Sequence, residues 1–573
     1  MDPHPNARPP QTRTTAPGAL IRNLAGLCLL ALLAAPAGAG EPAASPDRLG
    51  TVDFPVTGDA EIRVRVVRGV KLLHHMMYSE ADREFAAVVA HDPDCGFGYW
   101  GRAMAIVHPL WADIPDADDL ARGEALVRAG LARSLHTERE RAYLTTMEAF
   151  FRPGADRTLP ARLGSTDAAW AGVAGRYPDD LDAVAFGALY HLAPARFLPR
   201  DKSRRLQFEA AAALDRVAAR IPDHPGALHY KIHAFDFPLL AGRALEVCDA
   251  YGELAPDVPH ALHMPTHIYT RLGRWEKSIE FNERSAAAAR VLARDGGSLN
   301  SHLPHALDYL AYAYLQRGQY RKVEAIAREV AGRDGPYQPV NRPAMAFAFA
   351  AIPARLALER RNWAAAARLE LRRPAAFPWG DKYLYGDSIT RFARAYGAVR
   401  AGDRDAARRE LADLESLRGR IVGVIPGSYW ATQADVQVLA VTGWCALAEG
   451  RGDEAVAALR RAVALESSTD KEAVTPGEVL PAGEMLGEIL CEQGQFREAL
   501  AAFEEQLTLS PNRLNGLAGA ARAAEQAGDS TTAARYFREL LAVAAEADPG
   551  DDRVEHARTF LARQSGNTVA TAP

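Results

Sequence analysis

Along the last third of the chain, small and apolar residues recur at the three- and four-residue spacing of a buried helix face, not with the alternation of a strand. Gly487 and Leu490 lie on one such face and Ala499 and Phe503 on the next, with Gly494 between them and Pro511 after them. That order reads as helix, tight turn, helix, stop. The same marks return 34 residues on, at Ala521, Gly528, Ala533 and Phe537. Small residues such as Gly487 and Ala499 are expected where the two helices of a unit cross most closely. Weaker units follow Gly402/Ala407 and Gly450/Ala455, Gly273/Ser278 and Gly318/Val323 mark two more, and Gly69, Leu72, Ala81, Phe85 and Pro93 mark the first. Nine or ten helix pairs are expected, with the fewest marks between 115 and 215.

The pattern resembles the tetratricopeptide repeat (TPR), a helix–turn–helix unit that stacks on its neighbours. The resemblance implies an all-α, right-handed α-solenoid with a concave groove. Gly332-Arg333-Asp334-Gly335-Pro336 and the stretch Pro374 to Gly386 read as long loops. A soft boundary near 335 separates an N-terminal array, 41–335, from a C-terminal one, 336–564. The small polar residues 565–573 read as a disordered tail.

Composition supports helices, being 48% hydrophobic and rich in Ala, Leu, Arg and Glu. A formal net charge of −5 gives no basic excess for phosphate backbones, so nucleic acid is not an expected partner. Residues 1–40 read as a signal peptide. Arg8, Arg13 and Arg22 precede an apolar run from Leu24 to Ala35, and Ala37-Gly38-Ala39 places cleavage near Ala39-Gly40. That run has about 12 residues, short of the roughly 20 that a membrane span needs. A periplasmic or secreted chain without a membrane span is expected after its removal. Cys28 belongs to the run, and the widely spaced Cys95, Cys248, Cys445 and Cys491 form no CxxC motif and read as buried small hydrophobes.

Histidine changes the picture. Eight of the chain's 16 His fall between 224 and 305: His224, His229, His233, His260, His263, His267, His302 and His305. In the repeat register, His260, His263 and His267 occupy the second, fifth and ninth positions of a first helix. His305, Asp308 and Tyr312 hold the same positions one unit on, and His229 and His233 hold the fifth and ninth one unit before. Those positions line the concave groove in the TPR family, so the resemblance implies a ligand-binding face made of these eight residues.

Neutral imidazoles at i, i+4, as in His229/His233 and His263/His267, are a common chelating arrangement for zinc, copper or iron. The candidate metal ligands are His229, His233, His263, His267, His305 and Asp308, with Asp308 either ligating or orienting a ligand. The alternatives are metal-free contact with a polar ligand, and structural hydrogen bonding. Pro265, between His263 and His267, is expected either to start the helix or to kink it. A second cluster, His74-His75 with aromatics from Tyr99 to Trp111, reads chiefly as packing.

The blocks His224 to Pro238 and His260 to Trp275 (HALHMPTHIYTRLGRW), with His74 to Ala81 and His305-Ala306-Leu307-Asp308, resemble a group of exported bacterial TPR proteins. The likeness covers roughly residues 65 to 320 and implies fold and export but no activity. HExxH, GxSxG, a phosphate-cradling Gly-rich loop and a dinucleotide fingerprint are all missing. The leading expectation is a binding scaffold whose groove takes a peptide, a protein segment or a polar small ligand. The alternative is a metal-binding protein or metal-dependent enzyme.

Overall fold

The computed structural model describes residues 48–570 apart from 112, 155–156, 199–200, 297 and 425–427. The expected signal peptide, its cleavage site and Cys28 lie outside the described residues. From Arg48 onward the chain is one compact unit. Among the described residues it is built of 25 α-helices without a strand.

The first four pairs are α1 (Ala60–His74) with α2 (Tyr78–His91), α3 (Gly96–Met104) with α4 (Ala117–Leu131), α5 (Glu138–Phe151) with α6 (Leu159–Arg176), and α7 (Leu181–Leu192) with α8 (Arg205–Arg220). The next four are α9 (Pro225–Phe235) with α10 (Leu245–Leu254), α11 (Pro259–Arg271) with α12 (Trp275–Gly296), α13 (His302–Gln316) with α14 (Tyr320–Ala331), and α15 (Arg342–Glu359) with the short α16 (Trp363–Ala366). The last four are α17 (Leu384–Arg400) with α18 (Arg404–Val424), α19 (Tyr429–Ala448) with α20 (Gly452–Glu466), α21 (Ala482–Glu492) with α22 (Phe496–Leu509), and α23 (Leu514–Gln526) with α24 (Ser530–Val543). Helix α25 (Asp552–Ala570) closes the stack. Each helix packs on the next, which makes an α-solenoid.

The pairs number twelve, because three of them lie within 96–220 where the sequence carries few turn marks. Small residues do mark the crossings, but what they make room for is an aromatic ring. A Cβ on Gly487 would sit 2.6 Å from the ring of Phe503, sixteen residues on. Helix α25 continues to Ala570, through residues expected to form a disordered tail. No proline interrupts 564–570. Among the described residues no helix is long and apolar enough to cross a membrane.

The two largest groups of buried apolar side chains meet inside α12, one ending at Phe281 and the other beginning at Ala286. Cys95, Cys248 and Cys445 are buried free thiols, whereas Cys491 is half-buried. Later repeats pack against earlier ones. Gly273, at φ +61°, has room for no side chain because a Cβ would lie 2.3 Å from the Pro511 carbonyl oxygen. The Trp275 indole N–H donates to the Asn512 carbonyl at 2.7 Å.

The connection 467–481, between α20 and α21, crosses back over the middle repeats as a strap. Asp470 accepts from Arg204, Glu472 accepts from Arg196 at 3.0 Å, and Arg355 donates to Thr475 Oγ1 at 3.0 Å. Beneath the strap lie the histidines.

Candidate metal centre

Three first helices position the imidazoles. Helix α9 begins with His224 as its cap, whose Nδ1 accepts from the Ala227 N–H at 3.2 Å, and with Pro225 as its first residue. Helix α11 begins at Pro259 and runs unbroken through Pro265, so His260, His263 and His267 belong to one helix. The Thr266 hydroxyl donates to the His263 carbonyl at 2.7 Å within that stretch. Helix α13 supplies His302 and His305. His229, His260, His263, His267 and His305 are all buried rather than lining an open groove, because the strap lies across them.

His263, His267 and His305 each offer a nitrogen, and the three lie within 4.8 Å of one another. Their hydrogen bonds fix the tautomers. His263 Nδ1 is 2.8 Å from Asn282 Oδ1, and the Asn282 amide nitrogen itself donates to the Ser278 carbonyl. Oδ1 is therefore the acceptor, and His263 carries its proton on Nδ1. His267 Nδ1 donates to Asp236 Oδ2 at 2.9 Å. Both Nε2 atoms are left with bare lone pairs, and they face each other at 3.0 Å. Two lone pairs at that distance repel unless a proton or a metal ion joins them, and two imidazoles on a tetrahedral ion would stand about 3.3 Å apart.

A second set lies beside it. His229, His233 and His260 offer nitrogens that also lie within 4.8 Å of one another. His229 Nδ1 donates to the His74 carbonyl at 2.6 Å, which leaves Nε2 as a lone pair. Among the described residues, the buried Nε2 atoms of His229, His233 and His260 have no hydrogen-bond partner.

A third cluster, His74, Asp182 and His224, has similar residue types and the opposite protonation. His74 Nε2 donates to Asp182 Oδ1 at 2.9 Å. The His224 cap bond leaves its proton on Nε2, 3.3 Å from the same oxygen. With a proton on each Nε2 that faces Asp182, this cluster turns no bare imidazole lone pair towards its centre.

Electrostatics keep the imidazoles neutral. Burial pushes His233 down to about 3 and His302 to about 4, and it takes His229, His260, His263 and His305 well below their ordinary value. Neutral imidazole is the form that ligates. Asp236 is partly buried, yet Lys471 and Arg271 hold it well below the usual carboxylate range. It accepts from Arg271 Nε at 2.9 Å and from Lys471 Nζ at 3.1 Å.

The structure brings six of the eight groove residues together and leaves two apart. Asp308 pairs with Arg355, whose Nη1 donates to it at 2.7 Å, and it belongs to none of the three clusters. The Tyr312 hydroxyl accepts from Arg513 Nη1 at 2.5 Å, outside the histidine cluster. The phenol among the imidazoles is Tyr309, stacked on His267 with ring centres 4.7 Å apart and donating to the Thr475 carbonyl at 2.9 Å. Tyr309 lies four residues after His305, so helical spacing could have found it. Asp236 sits just past the end of α9, and nothing in the sequence points to Lys471.

Residues 484–516 match the family model of the tetratricopeptide repeat. No curated protein matches the chain. Solved structures similar to it include the human IFIT1 dimer with m7Gppp-AAAA, at 11% identity and a TM-score of 0.35, covering 86% of this chain and 92% of that one. Yeast Tom70 aligns at 11% identity and a TM-score of 0.29, over 89% of this chain and 99% of its own. The APC/C hetero-tetramer Cut9-Hcn1 aligns at 13% identity and a TM-score of 0.27, over 88% and 96%. The chain is thus an all-α helical-repeat solenoid in which α21, α22 and the start of α23 carry a tetratricopeptide repeat.

Proposed function

We propose that this chain is a metal-binding scaffold, with a transition ion (zinc, copper or iron) held by His263, His267 and His305 inside the repeat array. The observation that carries the reading is the pair of Nε2 lone pairs 3.0 Å apart, each fixed by an acceptor on the far side of its ring. That arrangement is the familiar one in which a ligating imidazole donates its other N–H to a carboxylate or amide oxygen. An uncharged set of nitrogens suits zinc, copper, iron or nickel over magnesium or calcium. Three protein ligands leave a position open, and a cavity of about 10 Å³, large enough for one ion or water, adjoins it.

The strap favours this reading over a peptide laid in the groove, because it covers the same side chains. Export, supported by the apolar run from Leu24 to Ala35 and the small residues after it, remains part of the proposal. The test is elemental analysis of the full chain, purified without a histidine tag and offered zinc, copper and iron in turn. At least one ion per chain is expected, and His263→Ala/His267→Ala should lose it. A wild-type chain that takes up none of the three overturns the reading.

A further inference from the structure

We infer that the histidine core is a two-metal centre, with a second ion on His229, His233 and His260 sharing one small pocket with the first. This rests on the metal reading for His263, His267 and His305, but a separate observation carries it. The second set has its own three nitrogens within 4.8 Å and its own three buried Nε2 atoms without a partner among the described residues. The His74 carbonyl fixes the His229 tautomer, as Asn282 and Asp236 fix those of the first set.

The two sets adjoin. His260 and His263 have ring centres 6.4 Å apart, and His233 and His267 6.3 Å. Within the first set the His267 and His305 rings are 6.0 Å apart, so the gap between sets is only a few tenths of an ångström wider than the span within one. The same cavity is lined by His233 and His260 from one set and by His267 and His305 from the other. Each ion would have three imidazoles and one open position. A shared space of about 10 Å³ admits a single oxygen atom, so the chemical class of the bridging ligand is water or hydroxide.

Copper(II) is the probe, because two copper(II) ions joined by an oxygen bridge pair their spins and lose their paramagnetic resonance signal. The metal-free full chain should bind two copper ions, with a signal accounting for far less than the copper present. His229→Gln/His233→Gln should bind one copper with its full signal, and His263→Gln/His267→Gln should do the same. Helix content and melting are measured on each variant. Where a double variant fails to fold, single His260→Asn and His305→Asn variants take its place.

The wild-type stoichiometry decides on its own account. No copper overturns the metal reading and this inference together. One copper, unaffected by changes at His229, His233 and His260, overturns the second ion and spares the first. Two coppers with full signal overturn the shared bridge.

Discussion

Asp236 is one carboxylate behind one imidazole, and its role is orientation. It accepts from His267, Arg271 and Lys471 together, so the side chain has little freedom to turn. Asp236→Asn offers an N–H₂ to the ring and allows the proton to move to Nε2, the nitrogen proposed to hold the ion. Metal affinity should fall about 10- to 100-fold, measured by competition with a coloured chelator. Asp308→Asn is the control from the same register. It leaves buried Arg355 without its carboxylate and should cost about 3–5 kcal/mol of stability in a urea titration while the chelator competition stays put. A tenfold change in that competition would tie Asp308 to the metal after all. At this scale the sequence shows which side chains share a helix face. It does not show that Arg355 and Arg513, from elsewhere in the chain, reach Asp308 and Tyr312 first.

Two turn glycines separate local geometry from long-range packing. Gly528 has φ +81° and open space around it, so Gly528→Ala should cost about 1–2 kcal/mol from backbone strain alone. Gly273 has a similar φ, but its Cβ would strike the Pro511 carbonyl, so Gly273→Ala should cost clearly more. Urea midpoints measure both, and equal losses would mean that the contact between early and late repeats contributes nothing. The turn glycines and the C-terminal pairs are legible because Gly, Ala and Phe return there at one fixed spacing. The pairs within 96–220 are hidden because their close contacts do not keep that spacing: Gly123 makes room for Phe151, 28 residues on and in a different pair. Pro265 allows a helix start or a kink, and α11 begins six residues before it, which removes the first. Its local preference is to end a helix, but α11 is buried along nearly its whole length, and packing overrides that preference.

Nine imidazoles are pushed below their ordinary value by burial: His74, His75, His229, His233, His260, His263, His267, His302 and His305. Below about pH 6.5 the unfolded chain therefore binds more protons than the folded one, and stability falls as pH falls. Each such group costs about 1.4 kcal/mol per pH unit in that window. The metal-free protein should lose melting temperature steeply between about pH 6.5 and 4.5, and the metal-loaded protein should lag behind it, because the ion occupies nitrogens that protons would take. Scanning calorimetry at stepped pH checks this, and a flat profile would contradict the neutral core. The strap has a further consequence, for chronology. Residues 229–305 leave the ribosome well before 470–475, so the imidazoles exist as an open cluster before the segment that covers them has been made. An ion of the proposed kind therefore has access to the imidazoles before the strap covers them.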